Sequence, residues 1–320
     1  MEFKKYPSIE QFRHLKDKLL NYYKHLHSML NFSGTVKLHG THADICFNGE
    51  NFIQIQSRNR ILSETEDNLG CFKFLKTREE DILDLINLIL EKHPDCKFIM
   101  ISGEFCGKGI QGGVGIGKVD PFFVIFDIYI DARWQSMENF KEIFKNDKRI
   151  FNIMQFELFN FQLNRDLLDN NEYIEEITKN LQIVAEKVGS ECPIAKYFNI
   201  SGEGEGVVYK CIEAPGISDL WFKSKCQKHS VRHEKIIKEP KINNEDGLEF
   251  VTEARLSQGI DYLREFNLQI DKTSLGIFIK WVVEDIFKEE SDLDKSTSKL
   301  ISNRCREWFL EYIKQNVCLK

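Results

Sequence analysis

The 320-residue sequence predicts an α+β fold in two parts. Apolar β runs recur at 33–60, 97–105 and 122–130 without the regular strand–helix alternation of a doubly wound sheet. Helical periodicity appears at 80–92 and at 171–188. Past Pro240 the pattern changes to three helical stretches with no strand signal.

Taken in order, residues 8–30 carry apolar positions at helical spacing, and Ser8 with Gln11 has the form of a weak capping box. Two short β runs flank His39-Gly40-Thr41, and FIQIQSR follows as a third. EDILDLINLILEK (80–92) predicts an amphipathic helix. KFIMISGEF (97–105) and FFVIFDIYI (122–130) predict strands. EGVVYKC and DLWFKSK form a strand pair about Ala214-Pro215-Gly216. KINNED, after Pro240, is a polar linker, which places a domain boundary near residue 240. Helices follow near 247–266, 273–290 and 297–317. In the last, Leu300, Ile301, Cys305, Trp308, Phe309, Tyr312 and Ile313 make one apolar stripe.

Charged residues make up 29% and hydrophobic residues 42%, as in a chain able to build ordinary cores. The net charge of −6 argues against a generally basic nucleic-acid coat but leaves room for a local basic groove. Nine scattered cysteines, with no Cys-x-x-Cys, read as reduced thiols of an intracellular protein. There is no apolar signal core and no membrane-length apolar run. The expected address is the cytoplasm.

Three motifs fail on their context. Gly107, Gly109 and Gly112 fit G-x-G-x-x-G, but more glycines, a proline and a strand follow, where a dinucleotide site needs a helix. The same stretch, with Val114, and NRDLLDNN (164–171) imitate two kinase loops. The strand lysine and Asp-Phe-Gly are missing. His229 and His233 have metal-pair spacing, yet no third ligand is near in sequence.

Lys37, in VKLHGTH, stands where an apolar residue would better suit a strand. Glu104 ends a strand, Phe126 and Asp127 lie in another, and Glu205 precedes a third. Lys37 and His39 are two apart, as are Lys223 and Lys225, so each pair shares a strand face. Inward charges at strand positions need partners or a ligand. Taken in order, KLHG, SRNR, GEF, FVIFDIY, EGVVYK and FKSK resemble the six motifs of the covalent nucleotidyltransferases, the polynucleotide ligases and mRNA-capping guanylyltransferases. His39, where DNA ligases and capping enzymes carry Asp, is similar to the RNA ligases of the phage-type and RNA-editing, nick-sealing branch. His42 departs from the family, where Asn is common.

The resemblance covers roughly residues 33–226 by motif. It implies a nucleotidyltransferase (adenylation) domain of antiparallel sheets with flanking helices over 1–240. A small all-helical RNA-handling domain would occupy 241–320. It also implies an ATP-dependent RNA ligase, using Mg²⁺ or Mn²⁺, that joins a 3′-hydroxyl to a 5′-phosphate through Lys37-AMP. The partner would be RNA, as a nicked duplex, and the chain a monomer. A free lysine titrates near ~10.4 and must lose a proton to attack, so Lys223 and Lys225 are candidates to depress its pKa and to neutralise the α-phosphate. By the same resemblance Glu205 serves the metal, Glu104 a ribose hydroxyl and Phe126 the adenine. Arg58 serves the ribose or 5′-phosphate, and His39 the leaving pyrophosphate. A DNA ligase, a GTP-using capping enzyme and a non-catalytic RNA-binding relative are the alternatives. From Lys223 to Lys241, seven basic residues against two acidic ones give a strip of net +5, read either as a solvated face or as a phosphate track.

Overall fold

The computed structural model describes residues 2–49, 53–229, 247–290 and 293–317. The chain divides into two compact units, Met1–Cys226 and Gln227–Lys320. The expected boundary at residue 240, His233 and the basic strip beyond His229 lie outside the described residues.

In the first unit β1 (Glu10–Gln11) leads into α1 (Phe12–Asn21), followed by β2 (Met29–Lys37), β3 (Thr41–Phe47) and β4 (Ile53–Ser57). Helices α2 (Cys71–Lys76) and α3 (Glu79–Lys92) precede β5 (Ile99–Cys106), β6 (Phe122–Ile130), β7 (Arg133–Trp134), β8 (Ile150–Asn152) and β9 (Leu158–Asn164). Next come α4 (Asn171–Ser190), α5 (Pro193–Tyr197), β10 (Gly206–Cys211) and β11 (Trp221–Lys225). One sheet has the order β1-β11-β10-β2-β9, and the other β4-β3-β5-β6-β7 with β8 beside β6. Pairing is antiparallel except for β1 with β11 and β6 with β8.

Alternation sorts each strand into two faces. On the first sheet Val36, Val207, Tyr209 and Phe222 point into a core with Leu15 and Leu19 of α1 and Leu181 of α4. On the second, Ala43, Ile45, Ile101 and Ile125 pack on Ile82, Ile86 and Ile89 of α3. A smaller cluster joins the sheets: Trp221 of the first with Cys46, Met100 and Tyr129 of the second, and Tyr6 and Trp134.

The expected helix over 8–30 is a correction. Helix α1 has Gln11 as its N-cap with no side-chain cap bond, so Ser8 and Gln11 form no capping box. Its buried residues are Leu15 and Leu19. Beyond Asn21 the Arg165 guanidinium takes the carbonyls of Tyr23, Lys24 and Leu26, which a continuing helix would have used internally. The kinase-like NRDLLDNN segment is thus structural, and its Asn170 caps α4. The glycine-rich stretch leads to a 3₁₀ turn, Gly115–Lys118, with no α-helix before β6.

The second unit is helical: α6 (Glu253–Glu265), α7 (Leu275–Glu289) and α8 (Ser298–Val317). Leu256, Ile260, Leu263, Phe278, Val282, Ile301, Cys305 and Phe309 form its core. Of the stripe read from the sequence, Leu300 instead faces solvent. Arg255 is fully buried. It donates from Nε to Asp285 (2.8 Å), from Nη2 to Glu289 (2.9 Å) and from Nη1 to the Phe250 carbonyl (2.8 Å). Arg255→Met should strand two acids beside an apolar core. We expect a loss of about 2–3 kcal/mol, less than a fully buried pair because both acids keep some water contact. Chemical denaturation of the two proteins checks this.

Candidate active site

The inner faces of the two sheets carry opposite charge. Lys37, Lys210, Lys223 and Lys225 lie on one face of the first sheet, by the register of β2, β10 and β11. Asp44, Glu104 and Asp127 lie on the second sheet, on faces opposite to its apolar core. Gly206 pairs with Lys37 on one side and Lys225 on the other. Having no side chain, it leaves the two lysines a common space. A Cβ there would meet the Ser224 carbonyl at 2.1 Å, and its φ of +148° also requires glycine.

Glu205 occupies that space. Its Oε2 accepts from Lys37 Nζ at 2.6 Å and its Oε1 pairs with Lys225 Nζ at 2.8 Å, while His39 Nδ1 lies 3.4 Å from Oε2. The carboxylate is 3% exposed, so water contributes little to its solvation. Burial opposes its charge, but Lys225, Lys37 and His39 outweigh burial and hold it well below the ordinary carboxyl range. Four residues read from the sequence, Lys37, His39, Glu205 and Lys225, therefore meet at one point. The two ammonium groups bracket one carboxylate.

Glu104 joins through the turn after β2. The Gly40 N–H donates to its Oε1 at 3.1 Å. A Cβ on Gly40 would stand 2.3 Å from the Phe105 carbonyl, which explains the glycine after His39. Burial raises the Glu104 pKa; Lys37, His42 and the Gly40 N–H lower it without cancelling that rise, and Glu205 adds to it.

Phe126 is the extra residue of a β-bulge. Ser102 pairs with Asp127 and Gly103 with Ile125, so Phe126 has no partner in the ladder and its ring is re-aimed, half-buried. Arg58 lies just beyond β4 and donates to Ser8 Oγ at 3.3 Å. Lys223 opposes Val208 and Gln11, on the face that carries Lys225.

Sequence reasoning missed four contributors, Tyr6 and Asp44 buried and Lys210 and His42 partly so. Lys210 crosses between the sheets, donating to Asp127 Oδ1 (2.5 Å) and to the Phe126 carbonyl (3.1 Å). Tyr6 donates to Asp127 Oδ2 at 2.5 Å. Asp44 is fully buried and accepts from Ser102 Oγ (2.6 Å) and Gln56 Nε2 (3.0 Å). His42 Nε2 lies 2.8 Å from Asp44 Oδ1. Burial opposes protonation of His42, yet Asp44 raises its pKa above the ordinary value. The available signal was alternation: Lys210 is two residues from Val208 and four from Gly206, on the strand face of the other lysines.

Among the described residues no group of three or more His, Cys, Asp or Glu side chains is placed to hold a metal ion. No helix among them is long and apolar enough to cross a membrane. The described cysteines are free thiols, all buried except Cys96, and Cys318 lies outside the described residues.

Two facing, mainly antiparallel sheets with a strand-end lysine joined to a buried glutamate define a mixed α+β protein with a charged cleft between its sheets. The chain belongs to the RNA ligase family, whose model matches residues 31–225. No curated protein sequence matches it. Solved structures of the Naegleria gruberi RNA ligase are similar. A variant with AMP and Mn is 19% identical with a TM-score of 0.48, covering 71% of this chain and 57% of that one. A variant with ATP and Mn gives 19%, 0.48, 71% and 56%, and the ligase with PPi 18%, 0.48, 71% and 57%. The matched part is thus less than two thirds of those chains.

The depressed pKa of Glu205 sets a pH test. Its stabilising contribution is present above the ordinary value of 4.5 and is lost as pH falls through the lower folded value. Glu205→Gln should therefore be less stable than the parent at neutral pH. The gap should narrow below pH 4.5, as followed by denaturant melts across pH.

Proposed function

We propose that this chain is an ATP-dependent RNA ligase that works through a Lys37-AMP intermediate. The observation that carries the reading is the Lys37–Glu205–Lys225 cluster, at the ends of β2 and β11 and just before β10. In the first step the Lys37 amine forms a bond to the α-phosphorus of ATP, and the bond to pyrophosphate breaks. The AMP then passes to an RNA 5′-phosphate. Attack by a 3′-hydroxyl joins the ends and releases AMP.

Attack requires the lone pair of Lys37 Nζ, so the ammonium first releases a proton to solvent. With ATP bound, the α-phosphate competes with Glu205 for the ammonium groups, so the Lys37–Glu205 contact opens as the nucleotide seats. Lys225, with Lys223 on the same face, then faces the charge that develops on the phosphate. His39 orients the pyrophosphate. Glu104 accepts from a ribose hydroxyl, Phe126 stacks on adenine and Arg58 takes the ribose or the 5′-phosphate. Mg²⁺ favours one or two carboxylates with water and phosphate, and Mn²⁺ takes a similar oxygen set. The donor set fits an ion that arrives with its waters on the nucleotide, and Glu205 is the carboxylate that would hold those waters. When bound, such an ion would neutralise phosphate charge.

We assign sealing of nicked duplex RNA to the whole chain acting as a monomer, with the helical unit gripping RNA and a cytoplasmic setting. A DNA ligase or a capping guanylyltransferase would use the same lysine. Parallel labelling with ATP and GTP separates the capping reading, and nicks built from all four RNA and DNA combinations separate the other.

Incubation with ATP should add the mass of one AMP to the chain. Lys37→Ala should abolish that addition while keeping the fold, yet still seal RNA supplied already adenylated. Normal AMP addition to Lys37→Ala would remove the nucleophile assigned above. Gly40→Ala should reduce AMP addition by at least about tenfold, since a displacement of an ångström at a reacting group can cost that and more. Residues 1–241 alone should take AMP but fail to seal a nick.

A further inference from the structure

Phe126 poses a packing problem. As a bulge residue it lacks a partner in the ladder, and it stands half-buried against the core of the first sheet and the cluster that joins the sheets. A phenyl ring there would sample several orientations unless neighbouring rings confine it. Two rings do. The Tyr6 centroid lies 5.5 Å from that of Phe126, edge-on at 72°. The His42 centroid lies 5.7 Å from Phe126, tilted by 44°. Tyr6 and His42 are themselves 4.7 Å apart, so the three form a closed triangle. These separations fall in the range where aromatic pairs attract.

Each of the two supporting rings is tied to a different buried carboxylate. The Tyr6 hydroxyl donates to Asp127 Oδ2 at 2.5 Å, and Asp127 is held from its other side by Lys210. His42 Nε2 is on Asp44, which Ser102 and Gln56 also hold. Gln56 closes the circuit. Its Nε2 donates to the Lys4 carbonyl at 2.5 Å, two residues from Tyr6. Both carboxylates are 1% exposed or less, so each donor they lose leaves an acceptor that water does not reach. Lys210 acts twice, because its Nζ also donates to the Phe126 carbonyl and so fixes the backbone of the bulge.

We propose that Tyr6 and His42 are positioning residues for Phe126, and that this carboxylate-anchored ring triangle sets how tightly the site holds the nucleotide base. The proposal rests on the reading that Phe126 stacks on the base. On it, His42, the departure from the family's usual residue, supplies both a ring and an anchor to Asp44. Neither positioning residue needs to touch the nucleotide.

The test is calorimetric binding of an ATP analogue with a methylene bridge between the α- and β-phosphates, using the full chain. Phe126→Leu should weaken binding by about tenfold, the scale of one base–aromatic stack. His42→Ala and Tyr6→Leu should each weaken it by about threefold to tenfold. Tyr6→Phe, which keeps the ring, should recover part of the Tyr6→Leu loss. The decisive measurement is a double-mutant cycle. In a Phe126→Leu background, His42→Ala should cost less than about twofold more, because the ring it positions is gone. Additive losses in the cycle would overturn the proposal, as would normal affinity of both His42→Ala and Tyr6→Leu beside a weakened Phe126→Leu. Normal affinity of Phe126→Leu would instead remove the stacking reading, and the proposal with it. Thermal melts run alongside separate loss of binding from loss of fold, and Tyr6→Phe supplies the informative arm if His42→Ala does not fold.

Discussion

One carboxylate held between two ammonium groups governs the first unit. Removing Glu205 from water costs several kcal/mol even after the protein relaxes, and the cost is met only if both lysines arrive in register. That requirement fixes β2, β10 and β11 against one another. A slip of one residue would turn Lys37 or Lys225 toward the apolar face that holds Val36 and Phe222. Gly206 is the steric side of the same constraint, since a Cβ there would collide with the Ser224 carbonyl and the Lys225 Cα of the neighbouring strand.

The sorting of charge between sheets follows from this. Cations lie on the inner face of one sheet and acids on that of the other, and Lys210–Asp127 is a direct bridge between them. Glu205 is the acid placed on the cationic side, and it is the one whose pKa is driven down. Glu104 and Asp127, on the acidic side, are driven up by burial despite their cationic neighbours. One site thus holds carboxyl groups with different proton affinities, set by which sheet each one faces.

Much of this was legible in the sequence, for a physical reason. Strand alternation and helical periodicity are local, so β2, β3, β6, α3 and the three late helices could be placed from spacing alone. The spacing of Lys37 with His39, and of Lys223 with Lys225, gave shared faces. Segment 8–30 misled because its helical spacing continues past Asn21, while the cause of the break, Arg165, lies far along the chain. Tyr6, Asp44 and Lys210 escaped for the same reason: their importance comes from contacts between distant segments. His42 was visible only as a departure in KLHGTH, and the residue that explains it, Asp44, lies two places further on in an apolar run.

Lys37 and Glu205 are separated by 168 residues, and Tyr6 and Asp127 by 121. Contacts of such range form late, because the entropy of closing the intervening chain must be met before they give any return. During synthesis β2 is made early and can take β9 on one edge, but its other edge stays without a neighbour until β10 leaves the ribosome. Its unpaired edge and the apolar face of Phe32 and Val36 are exposed for that interval. Lys37 therefore meets Glu205 and Lys225 only when the last strands dock. Assembly of the Lys37–Glu205–Lys225 cluster and completion of the first sheet become a single event, and a nascent or truncated chain lacking β10 and β11 cannot form that cluster.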